Sequence, residues 1–145
     1  MTVKQICISM ANQPGQLAKV SELMGEAGVN IIALFVTTST PAGEGLLYFV
    51  PDNPDKAANI LASQGLEAKI NEVIAAETPH HAGGLLAVLN PLKRAGVNLE
   101  YLYPAIQTGE ATILILGVGP QQIGQAVEAL KKDWIRLFGE ELYNM

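Results

Sequence analysis

Ala27-Gly28-Val29-Asn30 and Ala95-Gly96-Val97-Asn98 are the same four residues, 68 positions apart. The same interval separates Gly15 from Gly83 and Leu17 from Leu85. One shared tetrapeptide is within the reach of chance. Two separate motifs at one offset, with the same order of apolar and turn segments around them, mark a duplication. The chain is therefore read as one module written twice, over residues 1–70 and 71–145.

The first copy fixes the element order. Ile6, Ile8 and Met10 alternate with Gln5, Cys7 and Ser9, which is the period of a half-buried strand. Asn12 suits a helix N-cap, with Pro14 and Gly15 in the first turn and a stripe of Leu17, Val20, Leu23 and Ala27 ending at Gly28. Asn30–Thr38 is β-branched and apolar, and Pro41-Ala42-Gly43 turns it into a third strand over Glu44–Val50. Asn53-Pro54 starts a second helix by the cap-then-proline rule, with Ala57, Ala58 and Leu61 inward and Gly65 as its stop. Leu66–Ala76 reads as two strand segments run together, with Ala68, Ile70 and Val73 inward.

The second copy repeats the series. Leu85, Val88, Leu89, Leu92 and Ala95 form its first helical stripe, with Pro91 in mid-helix. Asn98–Gln107 and Glu110–Val118 pair around Thr108-Gly109, and Pro120 opens a helix carrying Ile123, Ala126, Val127 and Leu130. Trp134–Phe138 is the expected closing strand and Glu140–Met145 a tail. Each copy is thus β-α-β-β-α-β, giving an α+β fold of two ferredoxin-like repeats with antiparallel sheets and the helices on one face. About 70 residues bury too little surface to be comfortable alone, so the copies are expected to pair with each other, edge to edge or face to face. The two-sided apolar runs Ile31–Val36 and Ile113–Leu116 point to a second chain as further cover.

Composition excludes several function classes. A net charge of −5 and a pI near 4.9 disfavour nucleic acid, which needs clustered Lys and Arg to displace counterions. The basic pairs Lys93-Arg94 and Lys131-Lys132 fall late in helices, where they complement the dipole. Met1–Gln5 leads straight into a strand with no signal-peptide pattern, and no apolar run approaches the ~18 residues of a membrane span. The expectation is a cytoplasmic protein with no membrane partner. Cys7, the single cysteine, excludes an internal disulfide.

The chemistry is concentrated at Asn12-Gln13-Pro14-Gly15-Gln16-Leu17, where a strand enters a helix. Free N–H groups and the dipole at a helix start favour a small anion such as a carboxylate. An Asn side chain, both donor and acceptor, can meet either end of a zwitterion. The second copy carries a degenerate version, His80-His81-Ala82-Gly83-Gly84-Leu85.

Asn12-x-Pro14-Gly15-x-Leu17, followed by Gly28-Val29-Asn30, resembles ACT domains, ferredoxin-like modules that bind amino acids and other small effectors, mostly to regulate metabolic enzymes. The resemblance spans nearly the whole chain as two repeats and is closest to free-standing tandem proteins with no catalytic domain. It implies a site where two repeats meet, built from Asn12, Gln13, Pro14, Gly15, Gln16 and Leu17 on one side. Asn98, Leu99 and Glu100 of the other copy would face them. The reciprocal site would combine His80, His81, Gly83, Gly84 and Leu85 with Asn30 and Ile31. It implies a free amino acid as effector, a homodimer, a partner metabolic enzyme, no cofactor, and no catalysis. His80 in place of the Asn, and Ala82 in place of the Pro, make the second site the weaker expectation. The alternative is a dimeric scaffold or subunit in which ligand binding has lapsed.

Other readings are plainer. Asn12 can serve as a cap alone, and Asn30 and Asn98 can serve as turn residues. His80-His81 are adjacent, with no further His and no ligand-spaced Cys or carboxylates, so no metal site is expected. Cys7 has no predicted base beside it, and Tyr101, Tyr103 and Trp134 read as core or interface. No phosphate loop, dinucleotide fingerprint or Ser-His-Asp set occurs, so no enzyme is predicted.

Overall fold

The computed structural model describes residues 1–11, 13–38, 43–106 and 112–145. The chain folds as two compact units, Lys4–Asn71, and Glu72–Met145 with Met1–Val3. The readings that fall on Asn12, Pro41, Ala42, Thr108 and Gly109 lie outside the described residues.

In the first unit the alternating segment becomes β1 (Val3–Ala11), followed by α1 (Gln16–Glu26), β2 (Ile31–Thr37), β3 (Glu44–Pro51) and α2 (Pro54–Ser63). β3 pairs antiparallel with β1 (Ile6 opposite Phe49, Ile8 opposite Leu47) and with β2 (Leu34 opposite Phe49). Ile6, Ile8, Leu47 and Phe49 then share one sheet face, and Val20, Met24, Ala57 and Leu61 from both helices pack on it. Burial of each large side chain here stabilises by about 1.5–3 kcal/mol. α2 starts as its sequence predicts: the Asn53 side chain accepts from the Lys56 amide at 3.2 Å, with Pro54 next.

β4 (Ala68–Thr78) leaves the first unit and enters the second. There α3 (Leu86–Arg94), β5 (Leu99–Pro104), β6 (Thr112–Val118), α4 (Ile123–Lys132), β7 (Leu137–Phe138) and a 3₁₀ turn over Glu140–Asn144 follow. β6 pairs antiparallel with β4 and β5, and β7 with β4, giving the order β5-β6-β4-β7. Both helices again cover one face: Val88, Leu92, Ala126, Val127 and Leu130 pack on Ile74, Ala76, Leu114 and Leu116. Tyr101 lies opposite Gly117, and its ring occupies the space where a side chain on Gly117 would stand.

The four α-helices among the described residues stop by one device. A residue in the left-handed region bonds back to the last turn, and the next amide closes a six-residue loop. The closing bonds are Val29 N–H to Met24 O, Leu66 to Leu61 O, Val97 to Leu92 O and Ile135 to Leu130 O, at 2.8–3.1 Å. The left-handed residue is Gly28, Gly65 and Gly96 in the first three (φ +73°, +74°, +70°) and Trp134 in the fourth (φ +61°).

Several expectations are corrected. α1 begins at Gln16 with Gly15 (φ +88°) at its cap position, so Pro14 and Gly15 precede the first turn instead of filling it. Met24, not Leu17, completes the buried stripe of α1. Pro120 likewise precedes α4, which starts at Ile123. The closing strand is only Leu137–Phe138, because Trp134 turns the chain and is 94% exposed. Ile70 faces solvent, whereas the tail packs through the buried Leu142. Ile113, Leu114, Ile115 and Leu116 are all buried within this one chain, so their apolar run calls for no second chain.

Candidate functional site: two helix entrances

The two entrances begin alike. Gly15 and Gly83 sit at φ +88° and +77° with open space where a side chain would be, so each bends the chain ahead of its helix. Gln13, Pro14, Gly15 and Leu17 are exposed and Gln16 half-buried; His80, His81, Gly83 and Leu85 are exposed and Gly84 is buried. Leu17 and Leu85, apolar in sequence, are 38% and 42% exposed at matching positions.

The hydrogen bonding then diverges. At α1 the Gln13 amide bonds to Ala11 O (2.9 Å), Gln16 to Gln13 O (3.4 Å) and Lys19 to Gly15 O (3.0 Å). Among the described residues the amides of Leu17 and Ala18 have no backbone acceptor, and Gly15 brings no side-chain cap. At α3 the amides of Leu86, Ala87 and Val88 bond to the carbonyls of Gly83, Gly84 and Leu85, all at 3.1 Å, a 3₁₀ turn that uses up the first-turn donors. The loop before it is closed on itself. Gly84 N–H donates to His81 O (2.9 Å), the buried Thr78 hydroxyl donates to Gly84 O (3.3 Å), and a side chain on Gly84 would meet Pro79 O at 2.3 Å. His81 Nδ1 contacts Ala82 O at 2.9 Å. Among the described residues the first entrance therefore offers two amide donors along the helix axis, whereas the second has spent its own.

The paired Asn positions also have matching supports. In the first unit the Asn30 amide donates to Asp52 Oδ1 (3.0 Å) and the Asp52 amide to Asn30 O (2.9 Å). In the second, the Asn98 amide donates to Gln122 Oε1 (3.1 Å), and Gln122 Nε2 to Gly96 O (3.4 Å). These bonds hold main chain and leave the exposed Asn side-chain amides outside the brace. Ile31 and Leu99 beside them are half-buried and Glu100 is exposed. Asp52 and Gln122 escaped sequence reasoning because they differ in type and break the 68-residue offset.

The remaining polar groups are structural in setting. Burial pushes the Cys7 thiol pKa up, against a hydrogen bond with Tyr48 and the charge of Lys69, which makes it a poor nucleophile. Ser9 Oγ donates to Glu44 Oε2 at 3.0 Å. Among the described residues no three His, Cys, Asp or Glu side chains converge on a metal-sized space. No helix among them is long and apolar enough to cross a membrane.

These are two ferredoxin-like α+β units in tandem, each opening its first helix with a left-handed glycine. The chain belongs to the ACT family: residues 1–140 match an ACT domain pair. Among solved structures it is similar to protein BT0572 from Bacteroides thetaiotaomicron, at 27% identity and a TM-score of 0.88, covering 100% of this chain and 98% of that one. The regulatory subunit of aspartate kinase from Thermus thermophilus shares the fold at 19% identity and a TM-score of 0.63, covering 90% and 91% of the two chains. An aspartokinase of alpha and beta subunits shares it at 16% identity and a TM-score of 0.61, over 90% of this chain and 91% of that one. No curated protein matches the chain.

Proposed function

We propose that this chain is a non-catalytic regulatory protein that binds a free amino acid at its first helix entrance. Membership in the ACT family supports the reading, as do the amides of Leu17 and Ala18, which have no backbone acceptor among the described residues. Those two donors, aligned with the α1 dipole, suit the effector's carboxylate, a charge–dipole term of about 0.3–1 kcal/mol before hydrogen bonding. Asn12 meets the ammonium or carboxylate, and the resemblance assigns the opposing wall to Asn98, Leu99 and Glu100 of the other repeat. The reciprocal set of His80, His81, Gly83, Gly84 and Leu85 with Asn30 and Ile31 binds more weakly or not at all, because its helix amides are already bonded. The protein acts as a cytoplasmic homodimer. Ligation changes its contacts to a metabolic enzyme, through different affinities for two arrangements of the protein.

A thermal-shift screen of the twenty amino acids at millimolar concentration tests this. A true effector at a hundred times its Kd stabilises the folded chain by about 2.7 kcal/mol. For a chain of this size that raises Tm by roughly 5–10 °C. Asn12→Ala should then weaken binding by about 1–3 kcal/mol. A flat screen would favour the second reading, a dimeric scaffold whose ligand sites have lapsed, for which the self-closed loop at His80–Leu85 is the supporting observation.

A further inference from the structure

Trp134 occupies a position that this chain otherwise gives to glycine. Its φ of +61° lies in the left-handed region, where a side chain crowds its own carbonyl, and it is the non-glycine residue with positive φ among those described. The same helix-ending bonds form at Gly28, Gly65 and Gly96 without that strain. Nothing inside the fold compensates: the indole is 94% exposed and packs on no core cluster. A strained, solvated Trp that the fold does not use is placed for a contact outside it.

Its surroundings say what kind. Lys93, Arg94, Lys131 and Lys132 end α3 and α4 beside it, four of the nine basic residues in a chain of net charge −5. Only Glu128 and Asp133 oppose them on these helices and the following turn, and Asp133 is engaged by Arg94. A groove of about 530 Å³ runs between the two helices, lined by the apolar Pro91, Ala95 and Ala129 and by Arg94 and Lys132 against Glu128 and Asp133, so the surplus positive charge of this face comes from Lys93 and Lys131 outside the groove. A cationic patch on an acidic protein selects an acidic partner and turns one face toward it. A second copy meeting this face about a two-fold axis would set like charge on like.

We infer that Trp134 and the α3–α4 groove form a docking surface for an acidic protein partner, the indole entering an apolar cleft while Lys93, Lys131 and Lys132 face carboxylates. This surface is independent of the effector loop and would stand if no amino acid bound. Trp134 is the only tryptophan, so its fluorescence reports this face alone. The full chain is titrated with three probes: a Glu/Leu amphipathic peptide, a Lys/Leu peptide of equal apolar content, and single-stranded oligothymidylate. The expected result is a saturable blue shift and protection from iodide quenching with the Glu/Leu peptide only. Salt and Lys131→Glu/Lys132→Glu should weaken it. Trp134→Gly should bind labelled Glu/Leu peptide at least about thirtyfold more weakly, as for loss of an aromatic anchor, and melt no lower than the parent. A response to oligothymidylate or the Lys/Leu peptide, or none to any probe, would overturn the proposal. So would a blue shift on concentrating the protein alone, which assigns the face to self-association, or a lower Tm in Trp134→Gly, which makes the indole structural.

Discussion

Gly84→Ala gives the sharpest test of the second loop. The added methyl would stand 2.3 Å from Pro79 O, 3.0 Å from the Pro79 carbonyl carbon and 3.1 Å from His81 O. All three neighbours are main chain, so no rotamer change relieves the overlap, and the loop must open by about 1 Å. Such overpacking costs about 1–3 kcal/mol. Opening also loosens the bonds Gly84 makes to His81 and Thr78, at about 0.5–1.5 kcal/mol for each one lost. The total is about 2–6 kcal/mol, which at this chain length lowers Tm by roughly 5–20 °C. Differential scanning calorimetry of Gly84→Ala should be read beside Gly83→Ala. Gly83 has φ +77° but open space, so its variant carries only the left-handed strain of about 1–2 kcal/mol. A Gly84→Ala protein that melts no lower than Gly83→Ala would refute the account of a loop closed on itself. An effector found for the wild type should give Gly84→Ala a Tm increment of similar size, since the entrance at Gly15 is untouched.

Other outcomes follow from the same geometry. Trp134→Gly removes about 1–2 kcal/mol of left-handed strain and adds about 0.5–1 kcal/mol of unfolded-chain entropy, so Tm should hold or rise by a few degrees. Gly117→Ala sets a methyl 2.1 Å from the Tyr101 ring, forcing it off the strand pair and breaking its stack with Tyr103; urea titration should show a loss of about 1–3 kcal/mol. Arg94→Ala should cost under about 1 kcal/mol by the same assay, because its ion pair with Asp133 is solvent-exposed. The Cys7 thiol has a folded pKa above the ordinary 9.0. Its contribution to stability is intact below the unfolded value and is lost as pH rises through the folded one. The urea midpoint should therefore fall above pH 9.0, and fall less in Cys7→Ser.

Much of the fold is legible in sequence because its signals are local. The period-2 pattern of Ile6, Ile8 and Met10, the Asn53-Pro54 cap and the glycines at 28, 65 and 96 each act through their own backbone. Trp134 misleads for the same reason: an aromatic among apolar residues scores as strand, yet the helix-ending bonds of Lys131 and Leu130 hold it in the left-handed region. Pro14 and Pro120 look like first-turn residues, but the left-handed bend at Gly15 and the turn that the Gln122 amide closes on Gly119 O delay each helix.

The candidate site divides along the same line. By itself the sequence determined that the module is written twice, that Asn12–Leu17 and His80–Leu85 correspond, and that the two copies differ in side chains, because identity and offset are properties of the chain. Only the tertiary structure decided that, among the described residues, the amides of Leu17 and Ala18 find no backbone acceptor while those of Leu86, Ala87 and Val88 do. A backbone N–H has no sequence signature: whether it is spent depends on how tightly the preceding loop folds, and Gly84 lets the loop before α3 close on itself.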